Sequence, residues 1–184
     1  GGMLDLVVGP DRPTFPGRGP DGTFPIVAWR RGDELMWGVE AVMLSAGTNV
    51  EWLRDDLGII PDAAASHDVA SGCADTDGVV YVPALLGLGT PRWDFGARGA
   101  LLGVTRGTGR AHIARAVLEG VAQRGADLVD AAEADAATTI SALRVDGGMS
   151  ANPTFTQAFA DATQRPVEVS PVVEATTLGA AFLA

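Results

Sequence analysis

The sequence predicts an α/β fold in which antiparallel strands come first and strand–helix units follow. Three observations carry this reading. Short apolar runs punctuated by Gly and Pro open the chain, one long helical period fills the middle, and strands alternate with helices over the last third.

Met3 to Val8, "MLDLVV", is a strand-like run stopped by Gly9-Pro10, and a Pro/Gly-rich loop follows through Pro25. Ile26–Arg30 and Leu35–Trp37 flank a turn at Arg31–Asp33 and predict a hairpin, so the opening reads as a small antiparallel meander. From Val39 to Leu57 apolar residues fall at Val39, Val42, Met43, Ala46, Val50, Leu53 and Leu57, the spacing of a helix with one buried stripe. Gly47 stands in its middle, where glycine costs about 1 kcal/mol relative to alanine. Something therefore approaches that face closely, and both a packed helix and a ligand answer the description.

Residues 61–78 are polar and without period, and "VVYVPAL" at 79–85 is a buried strand-like run. A glycine-rich loop, "GLGTPRWDFGARGALLG", regains apolar character at Leu101–Val104. Arg110 to Ala132 is the longest helical pattern. Its apolar stripe is Ile113, Ala116, Val117, Val121 and Leu128, and its solvated face carries Arg115, Glu119, Arg124 and Asp127, of which Glu119 is the one to watch for chemistry. The end alternates strand Leu143–Val145, helix Pro153–Thr163, strand Val167–Val169 and helix Glu174–Ala184. Such alternation predicts parallel pairing, in a mixed sheet with helices on both faces. A meander followed by these units is the order expected of a ribonuclease H-like (actin-like ATPase) domain.

At 184 residues, 47% hydrophobic and 20% charged, the chain is long enough for one core and has the composition of a soluble globular domain. The balance of 23 acidic against 13 basic residues, a formal charge of −10, disfavours nucleic-acid and anionic-membrane partners. No apolar run approaches a membrane span and no signal peptide opens the chain, so a cytoplasmic protein is expected. Cys73 stands alone, and with His67 and His112 it makes no zinc set. Every basic residue is arginine, which removes the Walker-A loop, the kinase strand lysine and any lysine Schiff base. Both ends read as cut from something longer: Gly1 and Gly2 are native or a cloning remnant, and "TTLGAAFLA" stops inside a helical pattern.

The richest stretch is "LRVDGGMSANP", residues 143–153. Asn152 is a preferred N-cap and Pro153 suits the first helical position, so a helix begins there and its free N–H groups face the glycines. A strand feeding Gly-Gly into a helix N-terminus lets backbone approach a phosphate or a flat ring, since no Cβ intervenes and the dipole favours anions. An ordinary strand-to-helix turn would look the same. Ser150 with His112 makes no hydrolase triad, for there is no G-x-S-x-G elbow, and "GLGTPRW" lacks the last glycine of a dinucleotide fingerprint.

Taken together, several stretches resemble the FGGY carbohydrate kinases. "GALLGVTRGTGRAHIARAVLE", 99–119, is similar to the family's second signature: Gly99, the pair Gly103-Val104, a seven-residue spacer, His112-Ile113, then Ala116 to Glu119. "PALLGLGTPRWDFGARG" resembles the form found in its glycerol-kinase branch, and "AGTNVEWLRDDLGI", "LRVDGGMSANP" and "EATTLGAAFLA" extend the match. The resemblance covers residues 1–184 nearly end to end, but only as the C-terminal, ATP-binding domain. It implies that the N-terminal sugar-binding domain and the last C-terminal helix are absent.

The resemblance further implies a nucleotide in a cleft between two such domains, with Mg2+ as the accompanying metal. Gly47 would lie under the nucleotide and Glu51, one turn later, beside the adenine or ribose. Gly148 would offer its backbone N–H to a phosphate, with Gly147 beside it in the nucleotide site, and Asn152 would border the base. Glycerol kinases commonly carry Gln at the position of Glu51, and a phosphate-binding Thr expected before Gly1 is missing, with Gly1 and Gly2 as its partner glycines. The general-base aspartate belongs to the absent domain, so no catalytic residue is expected here. The implied activity of the full-length enzyme is ATP plus glycerol to glycerol 3-phosphate plus ADP, with xylulose or ribulose kinases and a non-catalytic actin-like nucleotide-binding module as alternatives. A homo-oligomer is expected of the complete protein.

Overall fold

Strand formation starts where alternation is strongest. In the computed structural model, which describes residues 1–172 and 174–183, β1 (Gly2–Gly9) and β2 (Phe24–Arg31) both pair antiparallel with β3 (Glu34–Met43). The hairpin β2–β3 is the predicted one. β3 is central, however, in the order β1-β3-β2, so the first strand skips its sequence neighbour and joins the third.

The helix expected from Val39 to Leu57 does not form as one element. Val39, Ala41 and Met43 alternate with Glu40 and Val42, and only the odd-numbered side chains enter the core. They stand opposite Leu6, Leu4 and Gly2 of β1. A strand running into a helix imitated a continuous three-and-four spacing. The chain turns at Leu44–Gly47, and α1 occupies Thr48–Asp55, with Gly47 as its N-cap rather than its middle. Glycine is tolerated at that position, so the helix-interior penalty does not apply.

Residues 61–78 contain a short helix, α2 (Ser66–Ala70), which the absence of period concealed. β4 (Val80–Val82) and β5 (Ala100–Leu102) form a second antiparallel pair. The longest element, α3, runs from Arg110 to Ala136, four residues past the expected end, because nothing in "EADA" breaks a helix until Ala137 turns left-handed at φ 48°. It is buried far beyond one stripe, through Ala114, Leu118, Ala122 and Val129 as well as Val117 and Val121. It packs against β1, β3 and β4 as well as α1, α2 and α4, and so acts as the spine of the domain.

The face of α3 expected to be solvated is divided. Arg115 pairs with Glu119 at 2.7 Å and also donates to the Cys73 carbonyl, so Glu119 is an ion-pair partner on the helix surface. Arg124 is buried. Its guanidinium pairs with Asp127 and donates to the Thr90 carbonyl oxygen at 2.6 Å, partners that a buried cation requires.

The last third follows the expected order: β6 (Leu143–Val145) pairs parallel with β7 (Val167–Val169), around a 3-10 turn at Gly148–Ala151 and α4 (Pro153–Thr163). The final helix, α5, spans Ala175–Leu183, and Ala184 of the expected helix lies outside the described residues. Arg165 locks this unit to the end of α3: it grips both Glu133 oxygens at 2.8 Å and donates to the Ile140 carbonyl. One face of the first sheet packs on α3 through Met43, Ala41, Val121 and Leu128. Met3 and Val7 stand exposed on the other.

Candidate nucleotide site

The N-termini of two helices and the free edges of two strands meet around a cleft of about 990 Å³. That is the size of a small-molecule site. Gly47 and Glu51 of α1, Gly147 and Gly148 after β6, and Asn152 before α4 all line it. The five residues singled out from sequence are thus gathered from two segments roughly a hundred positions apart.

Each is held there by identifiable contacts. Gly47 ends a turn fixed by Asn49, fully buried, whose side-chain amide donates to the carbonyls of Ser45 and Ala46 at 2.9 and 2.8 Å. The Tyr81 hydroxyl donates to Asn49 Oδ1 at 2.8 Å, and its ring stacks on Trp52 of α1 at 5.8 Å. Burial pushes the Tyr81 phenol up to about 12. Helix α1 is therefore anchored to β4 from beneath, leaving Glu51 exposed toward the cleft.

Gly147 has φ 82° and ψ 176°, a conformation that is essentially glycine-only. This turns the chain out of β6 so that the first N–H groups of the 3-10 turn lack acceptors within it. Gly148 needs glycine for neither reason: its φ is ordinary, and a Cβ there would have no neighbour within 4 Å, as is also true of Gly47. The tight helix packing considered for Gly47 is excluded, because the space beside it is open. Open backbone on the wall of a cleft is a surface that a ligand can approach closely. Gly1 and Gly2 also line the cleft, and there packing does demand small residues: a Cβ on Gly1 would lie 2.8 Å from the Met43 carbonyl oxygen.

Asn152 caps α4, its Oδ1 accepting from the Phe155 N–H at 3.1 Å, with Pro153 at the first helical position. Its Nδ2 donates to Ser66 Oγ at 2.8 Å. Beside this bond, His67 Nδ1 and Thr154 Oγ1 lie 2.8 Å apart, so α2 is clasped to the start of α4 by two side-chain bonds. Ser66 lines the cleft and went unnoticed in sequence, since a serine in an aperiodic segment carries no sign of a partner 86 positions away. The rejected triad is not assembled: Ser150 Oγ donates to the Gly147 carbonyl, and His112 accepts from the Gly109 N–H at the start of α3.

The rim is acidic. Asp5, Glu51, Asp146, Glu168 and Glu174 line the cleft against Arg54 and Arg144, and those arginines pair with Asp55 and Glu168. Any polyphosphate here would be held by backbone N–H groups rather than by cationic side chains. Among the described residues no group of three or more His, Cys, Asp or Glu converges to hold a metal. No described helix is long and apolar enough to cross a membrane.

Comparison with known proteins agrees with this architecture. The family model for the FGGY carbohydrate kinases, C-terminal domain, matches residues 14–184. A glycerol kinase of Trichlorobacter lovleyi is 49% identical over 158 residues, covering 86% of this chain and 32% of its own length. The crystal structure of Plasmodium falciparum glycerol kinase with ADP superposes with a TM-score of 0.87 at 34% identity, over 99% of this chain and 36% of that one. A ligand-bound xylulose kinase from Lactobacillus acidophilus shares the fold, with a TM-score of 0.76 at 24% identity over 99% of this chain and 36% of that one. The chain spans about a third of the length of the relatives it matches. With its actin-like fold, its cleft and this match over nearly all its residues, the chain belongs to the FGGY family of carbohydrate kinases, in the part that forms their C-terminal domain.

Proposed function

We propose that residues 1–184 are the nucleotide-binding half of an ATP-dependent kinase whose acceptor is glycerol. The observation that carries this reading is the convergence of Gly47, Glu51, Gly147, Gly148 and Asn152 on one cleft in a chain whose structural relative was solved with ADP. Gly47 gives a flat wall for the nucleoside, and Glu51 and Asn152 flank the base and ribose. Gly147 aims the N–H groups at Gly148 toward the phosphates. Glu51 accepts hydrogen bonds only, so it suits the ribose hydroxyls better than the base.

Mg2+, if it accompanies the nucleotide, would supply charge neutralisation to the phosphates. Magnesium is usually held by one or two carboxylates together with substrate phosphates. The described residues offer no preformed cage of three or more such ligands. What the chain's own residues do is bind and orient the nucleotide. Phosphoryl transfer depends on positioning across a closed cleft, and the general base and acceptor site belong to an N-terminal domain beyond these residues. The lobe alone is therefore inactive. The complete enzyme is read as a cytoplasmic homo-oligomer without nucleic-acid or membrane partners, and the formal charge of −10 on residues 1–184 fits the last part of that reading.

Calorimetry with ATP on the chain and on Gly148→Val tests the site. We expect weak binding to the parent and a loss of about tenfold or more in the variant, with the melting temperature unchanged. Identical heats would remove Gly148 from the site. A panel of polyols and pentuloses on the full-length enzyme tests the acceptor, and a preference for xylulose or ribulose over glycerol would replace the glycerol reading.

A further inference from the structure

Ser66 is 1% exposed, lines the cleft and makes two hydrogen bonds that fix its polarity. Its hydroxyl proton is donated to the Ala63 carbonyl at 2.6 Å, so the oxygen can only accept, and it accepts from Asn152 Nδ2 at 2.8 Å. On the other side of the same amide, the Phe155 N–H requires an acceptor and finds Oδ1 at 3.1 Å. An acceptor on one flank and a donor on the other pin the Asn152 amide in one of its two orientations. Turning it over would set Nδ2 against an N–H and Oδ1 against an oxygen with no proton to give.

A primary amide has two N–H groups and two lone pairs on its oxygen. With one of each engaged, Asn152 has one N–H and one lone pair left, in a fixed order. Adenine presents along its Watson–Crick edge an N6–H donor beside an N1 acceptor, whereas guanine presents the reverse, an O6 acceptor beside an N1–H donor. A pinned amide matches one order and leaves polar groups unpaired against the other, the situation in which discrimination is strongest. An amide held from one flank only, by the Phe155 N–H, is less firmly fixed, and its remaining groups discriminate less.

Resting on the nucleotide reading above, we propose that Ser66 is a positioning residue that sets the preference of this site for adenine over guanine nucleotides, by holding the Asn152 amide in one orientation. Thr154, joined to His67 across the same helix pair, stiffens the clasp without touching the amide, and so provides the internal control.

The test is calorimetric titration of the chain with ADP and with GDP, for the parent, Ser66→Ala, Ser66→Thr and Thr154→Val. The parent is expected to favour ADP by about tenfold or more, and Ser66→Ala to cut that preference at least about fivefold, chiefly by weakening ADP. Ser66→Thr, which keeps the hydroxyl, and Thr154→Val retain it. Should Ser66→Ala not fold, Ser66→Cys, nearly isosteric with a weakly accepting sulfur, is read in the same way. An unchanged ADP:GDP ratio in a Ser66 variant that still binds ADP overturns the proposal and leaves the nucleotide site standing. An equal loss of preference in Thr154→Val also overturns it, since general loosening would then suffice. A parent chain that binds neither nucleotide overturns the site itself.

Discussion

At Gly120 of α3 an added Cβ would overlap the Tyr81 carbonyl oxygen, and at Gly125 it would come within 2.6 Å of the Phe159 ring. At Gly47 and Gly148 on the cleft it would meet nothing within 4 Å. The α3 glycines are consumed by the fold, letting β4 and α4 sit against the helix backbone; Gly47 and Gly148, unlike Gly1 and Gly147 beside them on the cleft, answer no demand of packing or of backbone conformation. Under the proposed nucleotide reading, that difference separates residues kept for packing from residues kept for a guest, although both are glycine in the sequence.

The sharpest way to break this contrast is substitution on the packed side. Gly120→Ala is expected to destabilise by about 3 kcal/mol in urea denaturation, since β4 backbone rather than a pliable side chain occupies the space. A cost below about 0.5 kcal/mol would mean that α3 and β4 are not in such close contact.

Next in size is the anchor beneath α1. Tyr81 keeps its proton in the fold to about 12 against an ordinary value near 10, so the neutral form is favoured by burial. The stability this contributes is whole below pH about 10 and is lost as pH rises through about 12, a swing on the order of 2 kcal/mol. Denaturation from about pH 9 to about pH 12.5 should show this fall, and Tyr81→Phe should flatten it while costing the bond to Asn49.

On the open side, Gly47→Ala should cost no more than about 1 kcal/mol of stability, since Gly47 already has helical φ −57° and ψ −29°, yet weaken nucleotide binding by about tenfold, as read by calorimetry. Reduced stability with unchanged affinity would move Gly47 to the packing class. The smallest effect lies on the outer face of the first sheet, where Asp5 stands opposite Glu40. Burial raises both carboxyls, and for Glu40 the Asp5 charge adds to it. Raised carboxyl values favour the protonated fold, so stability from this pair is present at low pH and is lost as pH rises and both ionise. Asp5→Asn should therefore stabilise by less than about 1 kcal/mol at pH about 7, with the gain shrinking toward pH about 3.

Legibility differed between elements for physical reasons. β6, α4 and β7 match the sequence reading residue for residue, because each is bounded by local chemistry: the Gly-Gly turn, the Asn-Pro cap and the left-handed Gln164 that closes α4. The Val39–Leu57 helix failed because a buried strand can mimic helical spacing when it runs straight into a short helix, and only pairing with β1 tells them apart. Arg124 was assigned to solvent because it is charged and stands at helical spacing from Asp127, whereas its acceptor, the Thr90 carbonyl, is 34 positions away.

By itself the sequence determined the order of elements apart from α2 and the boundary between β3 and α1, the glycines and cap that open the cleft toward α4, and the family. Those properties reside in local dihedral preferences, capping and short motifs, which need no partner from elsewhere in the chain. Only the tertiary structure decided that Gly47 and Gly148 face open space while Gly120 and Gly125 do not, and that Ser66 pins the amide of Asn152. Both depend on which backbone or hydroxyl arrives from a distant segment, and that is fixed by packing around α3 rather than by any neighbour in sequence.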